Sequence, residues 1–215
     1  MRWALIIAAM LTAGPLPACQ TALILAIDVS NSVDDAEYRL QVDGLYAALL
    51  APEVTEALLR DQVALLVYQW SGRDRQVITQ PWARMTDLAA VGDFALSVRG
   101  TERQIEMSDT APAEAIMFAL DQFAAVADCH RRVIDVSGDG TPNAGGDVRG
   151  ARALAQSMGV TINGIAIESL GLAITGFYSR DVITTDGFVM TARTHREYPE
   201  AILAKLIREL ASPVG

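Results

Sequence analysis

Continuous apolar runs alternate along this chain with segments whose apolar residues recur every three or four positions. Residues 22–27 are all apolar and end at Asp28, and 63–70, 133–137 and 160–167 are largely apolar stretches of similar length. Short runs of this kind predict strands buried on both faces, as in parallel sheets. Between them, residues 34–50 place Tyr38, Val42, Leu45, Tyr46 and Leu49 at helical spacing. Helices are also predicted over 87–98, over 111–127 with Pro112 in the first turn, over 148–158 with Gly159 as the stop, and over 197–210. Residues 71–74 read as a turn, after which 76–79 form a short strand returning as a hairpin. Residues 99–109 are a polar loop, 168–187 are the least regular stretch with one helical turn near 178–183, and 188–192 form a short last strand. No internal repeat or low-complexity segment interrupts the pattern. The alternation predicts an α/β fold, a doubly wound, mostly parallel open sheet with helices on both faces. In such sheets ligands sit beyond the carboxyl ends of the strands, where the strand order reverses.

The first 18 residues change this picture. Arg2, an apolar stretch from 3 to 13, and a helix-breaking Gly14-Pro15-Leu16-Pro17-Ala18 that ends in a small residue read as a signal peptide, too short for a spanning helix. Residues 19–215 are then a single exported domain, periplasmic or extracellular in a bacterium, with no transmembrane segment. The whole chain carries a formal charge of −9; Arg2 is the only charge in 1–18, so the mature chain carries −10. No basic stripe is present, which excludes the phosphate-tracking nucleic-acid binders. Cys19 has two readings. Leu16-Pro17-Ala18-Cys19 faintly resembles a lipoprotein signal whose cysteine is acylated. Alternatively Cys19 pairs with Cys129, the only other cysteine, which an exported chain permits.

The candidate chemistry lies at strand ends. One apolar run leads into Asp28-x-Ser30-x-Ser32, another into Asp139-Gly140, and Thr110 stands where the polar loop enters a helix. Hard divalent cations take oxygen ligands, and Mg2+ wants a near-octahedral set while keeping several waters. Two carboxylates and three hydroxyls can hold Mg2+, with Mn2+ and Ca2+ as alternatives, and leave a position open. The simpler readings are a helix N-cap at Ser32-x-x-Asp35 and an ordinary turn at Asp139-Gly140. Asp135-x-Ser137-x-Asp139-Gly140 echoes the start of an EF-hand loop, but its twelfth position is Gly146 rather than glutamate; Asp135 reads as structural. No nucleophile elbow or Walker loop is present. His130 and His195 read as surface or packing histidines, and Trp70 and Trp82 as core or loop anchors.

A hydrophobic strand, Asp28-x-Ser30-x-Ser32, a helix, a threonine loop and a strand ending near Asp139-Gly140 together resemble the metal-ion-dependent adhesion site of von Willebrand factor A domains. More narrowly, Ala26-Ile27-Asp28-Val29-Ser30, Arg131-Arg132-Val133-Ile134-Asp135-Val136-Ser137-Gly138-Asp139-Gly140 and Ile162-Asn163-Gly164 resemble an uncharacterised group of exported bacterial proteins with this fold. The resemblance implies strand order 3-2-1-4-5-6 with one antiparallel edge strand. It implies Ser30, Ser32 and Thr110 touching the ion, with Asp28 and Asp139 acting through water, and a protein or peptide partner supplying an Asp or Glu carboxylate. It also makes the first and fourth strands adjacent. Cys19 lies nine residues before Asp28 and Cys129 ten before Asp139, so both cysteines fall at the opposite end of that strand pair, as a disulfide requires. The chain departs from the family at Ser108-Asp109, where glycines often precede the threonine, which makes Asp109 a competing donor. It departs again at Gly138, an added residue before Asp139. The function implied is metal-dependent binding without catalysis. The alternatives are a Mg2+-dependent hydrolase or phosphotransferase using the same carboxylates, and a structural domain whose ion has no binding role.

Overall fold

A computed structural model describes residues 19–106, 108–168 and 173–211; the signal peptide expected over 1–18 lies outside the described residues. Six strands form one sheet: β1 (Thr21–Asp28), β2 (Ala64–Trp70), β3 (Gln76–Arg84), β4 (Arg131–Gly138), β5 (Val160–Ile167) and β6 (Val189–Ala192). Their order is β3-β2-β1-β4-β5-β6, as expected, with β3 antiparallel to β2 and every other pair parallel.

Alternation along the central strands divides the core into two layers. Leu23, Leu25 and Ile27 of β1 face one layer with Leu65, Val67 and Val133, under helices α1 (Asp35–Leu49), α2 (Pro52–Arg60), α3 (Leu88–Arg99) and α7 (Tyr198–Leu210). Ala22, Ile24 and Ala26 face the other with Leu66, Tyr68, Ile134 and Val136, under α4 (Pro112–Gln122), α5 (Val148–Ser157) and α6 (Ala173–Phe177). Helices therefore cover both faces, and β1, flanked by β2 and β4, is where the strand order reverses.

Four local differences from the sequence expectation have physical causes. Helix α2 was not expected, because its nine residues follow α1 almost directly; its signals are Pro52 in the first turn and buried Val54, Ala57 and Leu58. The helix expected over 111–127 ends at Gln122 and tightens into a 3-10 turn over Phe123–Val126. Strand β3 runs on past Pro81, which an edge strand tolerates. The single turn expected near 178–183 is a longer element, in which α6 continues into a π-helix over Tyr178–Val182.

The register between β1 and β4 is offset by 110 positions, with Thr21 opposite Arg131 and Ile27 opposite Ser137. Cys19 and Cys129 share that offset; they form a disulfide with Cα atoms 4.5 Å apart. Closing a loop of this length is worth about 4–5 kcal/mol in the chain-entropy account. At the other end the same offset sets Asp28 level with Gly138, so Asp139 stands one residue beyond the sheet.

Candidate functional site

The loop leaving β1 forms the centre of the site. Asp28 and Ser30 are fully buried. The Ser30 N–H donates to Asp28 Oδ1 (2.8 Å), which turns the chain and directs the Ser30 hydroxyl toward Ser32, with the two Oγ atoms 3.1 Å apart. Ser32 does not cap α1. That role belongs to Asp34, whose carboxylate accepts from the Glu37 N–H while Glu37 Oε2 accepts from the Asp34 N–H, a reciprocal capping box. Freed from capping, the Ser32 hydroxyl donates to Asp139 Oδ1 (2.5 Å), joining the two strand ends across the switch point.

Two asparagines bind the remaining loops to this centre. Asn31 exchanges hydrogen bonds with Ser108: its N–H donates to the Ser108 carbonyl and its Oδ1 accepts from the Ser108 N–H. Asn143 Oδ1 accepts from the Thr110 N–H (2.8 Å), and the Asn143 N–H donates back to the Thr110 carbonyl. Thr110 is thereby buried beside Gly140: a Cβ on that glycine would lie 3.4 Å from Thr110 Oγ1 and 3.9 Å from Ser32 Oγ. Asp28, Ser30, Ser32, Thr110 and Asp139 thus gather at one place. Asp109, the competing donor, is exposed. The added Gly138 does not carry Asp139 away from Ser32. Arg103 supports the loop from below by donating to the Val29 and Ser30 carbonyls.

The electrostatics of the site favour a cation. Burial, with a smaller contribution from the Asp139 charge, pushes the Asp28 carboxyl up to about 7, against the opposing Ser30 N–H bond. Burial also raises Asp139, although the Ser32 hydrogen bond holds it down. Asp28 Oδ2 is buried without a hydrogen-bond partner. An orphaned carboxylate oxygen facing hydroxyls at a strand end fits a hard divalent ion. No group of three or more His, Cys, Asp or Glu among the described residues is placed to hold a metal; the oxygens gathered here belong to two carboxylates and three hydroxyls.

The floor of the site explains motif residues that carry no donor. Tyr178, at the start of the π-helix, lays its ring where a Gly164 Cβ would stand, 2.5 Å from Cδ1. A Cβ on Gly138 would fall 2.7 Å from the Tyr178 hydroxyl and 2.8 Å from Asp28 Oδ2. Gly138→Ala is therefore expected to displace the Asp28 carboxylate or the phenol, with a stability loss of about 1–3 kcal/mol and weakened metal affinity. Thermal unfolding and calorimetry check this; unchanged values in both would contradict the close approach.

His195, read from sequence as a surface or packing residue, is buried at the rim of the site. Its Nδ1 lies 3.0 Å from Glu37 Oε1, and its Nε2 lies 3.9 Å from Asp139 Oδ2. Its burial comes from the path of the chain before α7. A 3-10 turn over His195–Glu197 folds this polar run back over the start of α1, and nothing local to residues 193–198 signals that return. His130 is exposed as expected, and Trp70 is in the core.

The order of the strands and the placement of the loops define a von Willebrand factor A fold. Residues 18–214 match the family described as "Protein of unknown function (DUF1194)", and the chain belongs to that family. No curated protein matches the chain in sequence. Among solved structures, proximal thread matrix protein 1 from the mussel byssus superposes with a TM-score of 0.65 at 17% identity over 90% of this chain and 48% of its own. A second structure of that mussel protein, described with a zinc-occupied MIDAS motif, gives 0.64 at 16% over 90% and 48%. A von Willebrand factor type A protein from Catenulispora acidiphila gives 0.61 at 16% over 92% and 44%. The corresponding domain of the type V pili tip protein Mfa5 from Porphyromonas gingivalis gives 0.61 at 10%, covering 92% of this chain and 98% of that one. The chain spans about half the length of the mussel and Catenulispora proteins. These likenesses are of fold.

Proposed function

We propose that this chain is an exported, metal-dependent binding module that captures a protein or peptide. Asp28, Ser30, Ser32, Thr110 and Asp139 are the residues that would hold a Mg2+ ion, with Mn2+ or Ca2+ as substitutes. The observation that carries this reading is the convergence of two buried carboxylates and three hydroxyls at the switch point, with Asp28 Oδ2 left without a partner. The ion, when bound, offers an open position to an incoming carboxylate. The chain's own part is to fix the hydroxyls through Asn31, Asn143 and the Asp34 cap. The matrix protein and the pili tip protein among the structural neighbours support a binding role, and the zinc-occupied motif of the mussel protein supports a divalent ion. Among the described residues no helix is long and apolar enough to cross a membrane. Signal-peptide cleavage before Cys19 accords with the disulfide that Cys19 forms.

Two site aspartates roughly neutralise a divalent ion, while the chain as a whole carries −9. The partner therefore presents one Asp or Glu carboxylate on a neutral or basic surface, and its association weakens as salt screens the long-range attraction. Pull-down from a periplasmic extract tests the function. Capture is expected with Mg2+, lost with EDTA, restored by added Mg2+, and absent in Ser30→Ala/Ser32→Ala that retains its fold. Capture that survives chelation would contradict the bridging role. Metal-dependent turnover of phosphate or ester substrates, lost in Asp28→Ala, would replace it with the hydrolase or phosphotransferase reading.

A further inference from the structure

We propose that His195 Nε2 is a nitrogen donor to a divalent ion held by Asp139, which gives the site a preference for borderline transition ions such as Zn2+ over Mg2+; this rests on the metal-site reading above. The imidazole is 8% exposed, and its Nε2 is shielded from solvent without a hydrogen-bond partner. Leaving a buried polar nitrogen unpaired is costly, so the position calls for an occupant. The other ring nitrogen is held 3.0 Å from Glu37 Oε1, which orients the ring with Nε2 on the Asp139 side. Glu37 is itself fixed, because its second oxygen accepts the Asp34 N–H in the capping box. Metal-binding histidines show this arrangement, with the far nitrogen on a carboxylate that orients the ring and raises its basicity.

The distance between Nε2 and Asp139 Oδ2 points to what lies between them. At 3.9 Å the pair is beyond hydrogen-bond range. Bonds of about 2.0–2.1 Å to nitrogen and 2.0–2.2 Å to oxygen set two donors roughly 3.4 Å apart on a tetrahedral ion, so binding would draw Nε2 and Oδ2 together by about half an ångström. Asp139 turns Oδ1 to Ser32 and Oδ2 to His195, so its carboxylate joins the hydroxyl set to the imidazole. Imidazole suits Zn2+, Cu2+ and Ni2+, whereas a set of hydroxyl, carboxylate and water suits Mg2+. The imidazole would therefore shift the preference of an otherwise all-oxygen site.

The test uses the metals alone on the intact protein. Zn2+ and Mg2+ are titrated separately by calorimetry into the wild type and into His195→Gln. The Zn2+ affinity of the variant is expected to fall at least by the roughly 10–100-fold that loss of an outer-shell partner costs, while the Mg2+ affinity stays nearly constant. The second readout is the 15N spectrum of histidine side chains, of which the chain has two. Addition of Zn2+ to the wild type moves the Nε2 resonance of His195 to a metal-bound position, and His130 serves as the internal control. This readout does not depend on the variant folding. An unmoved His195 resonance, or equal changes in Zn2+ and Mg2+ affinity, overturns the proposal. Zn2+ binding unaffected by Asp28→Ala would remove the metal-site reading itself, and this inference with it.

Discussion

Asp28→Asn is expected to abolish binding of Mg2+ or Mn2+ and, in the same protein, to raise the stability of the metal-free form. The Asp28 carboxylate is fully buried, has one oxygen without a partner, and lies near a second carboxylate. A buried charge without compensation is among the most costly features a fold can carry. Asparagine retains the oxygen that accepts the Ser30 N–H, and supplies an amide donor close to the unpartnered Tyr178 hydroxyl. The gain should be on the order of 1–4 kcal/mol, the range seen when buried ionic groups give way to neutral ones, read as a rise of several degrees in Tm. Added Mg2+ then stabilises the wild type and leaves the variant unchanged. A variant less stable than the metal-free wild type would show that the carboxylate is already compensated. The opposed signs separate a site kept for binding from one that contributes to stability.

The second large effect lies away from the site. Lys205 and Glu209 of α7 are both fully buried. The Lys205 ammonium pairs with Asp135 on β4 and with Glu209 Oε2 (2.7 Å). Glu209 Oε1 accepts from Asn163 on β5 (2.9 Å) and pairs with Arg131 (3.3 Å). Burial pulls the lysine pKa down, and Glu209 pulls it back up. This network holds α7 against two central strands. Lys205→Met keeps the volume but leaves Asp135 without a cation and removes half the support of Glu209. Breaking a buried pair in this way costs about 3–5 kcal/mol, a fall of roughly 6–20 °C in Tm for a domain of this size. Thermal unfolding of Lys205→Met, Glu209→Gln and the double variant checks it. The two losses should fall well short of adding, because the residues share partners. Additive losses, or a shift of a degree or two, would contradict the network.

Much of the fold was legible because its signals are local. Unbroken apolar runs marked the central strands, and helical spacing marked α1, α3, α5 and α7. The candidate donors were visible as residue types after two apolar runs and, for Thr110, where a polar loop enters a helix. The pairing of Cys19 with Cys129 needed only the expected adjacency of β1 and β4. What sequence alone did not show depends on contacts between distant segments. Whether Ser32 or Asp34 capped α1 was settled by the capping box, and that decision freed the Ser32 hydroxyl for Asp139. Asn31 and Asn143 are ordinary turn residues in sequence and become loop ties only when 108–110 and 143–144 meet. Gly138 and Gly164 are small because Tyr178 crosses above them from another element. Asp135 was placed correctly as structural, but its partner Lys205 lies 70 residues away on a helix read only as amphipathic. The place of His195 beside Asp139 depends in the same way on the return of the chain before α7.

The proposed function rests on one divalent ion held among Ser30, Ser32, Thr110 and the two aspartates. Crystals grown with Mn2+ and measured for anomalous scattering locate that ion. An anomalous peak is expected within bonding distance of the Ser30, Ser32 and Thr110 hydroxyls, beside Asp28 and Asp139, and no peak in crystals of Asp28→Asn. A wild-type crystal with no peak there, or with its manganese bound elsewhere on the acidic surface, would contradict it.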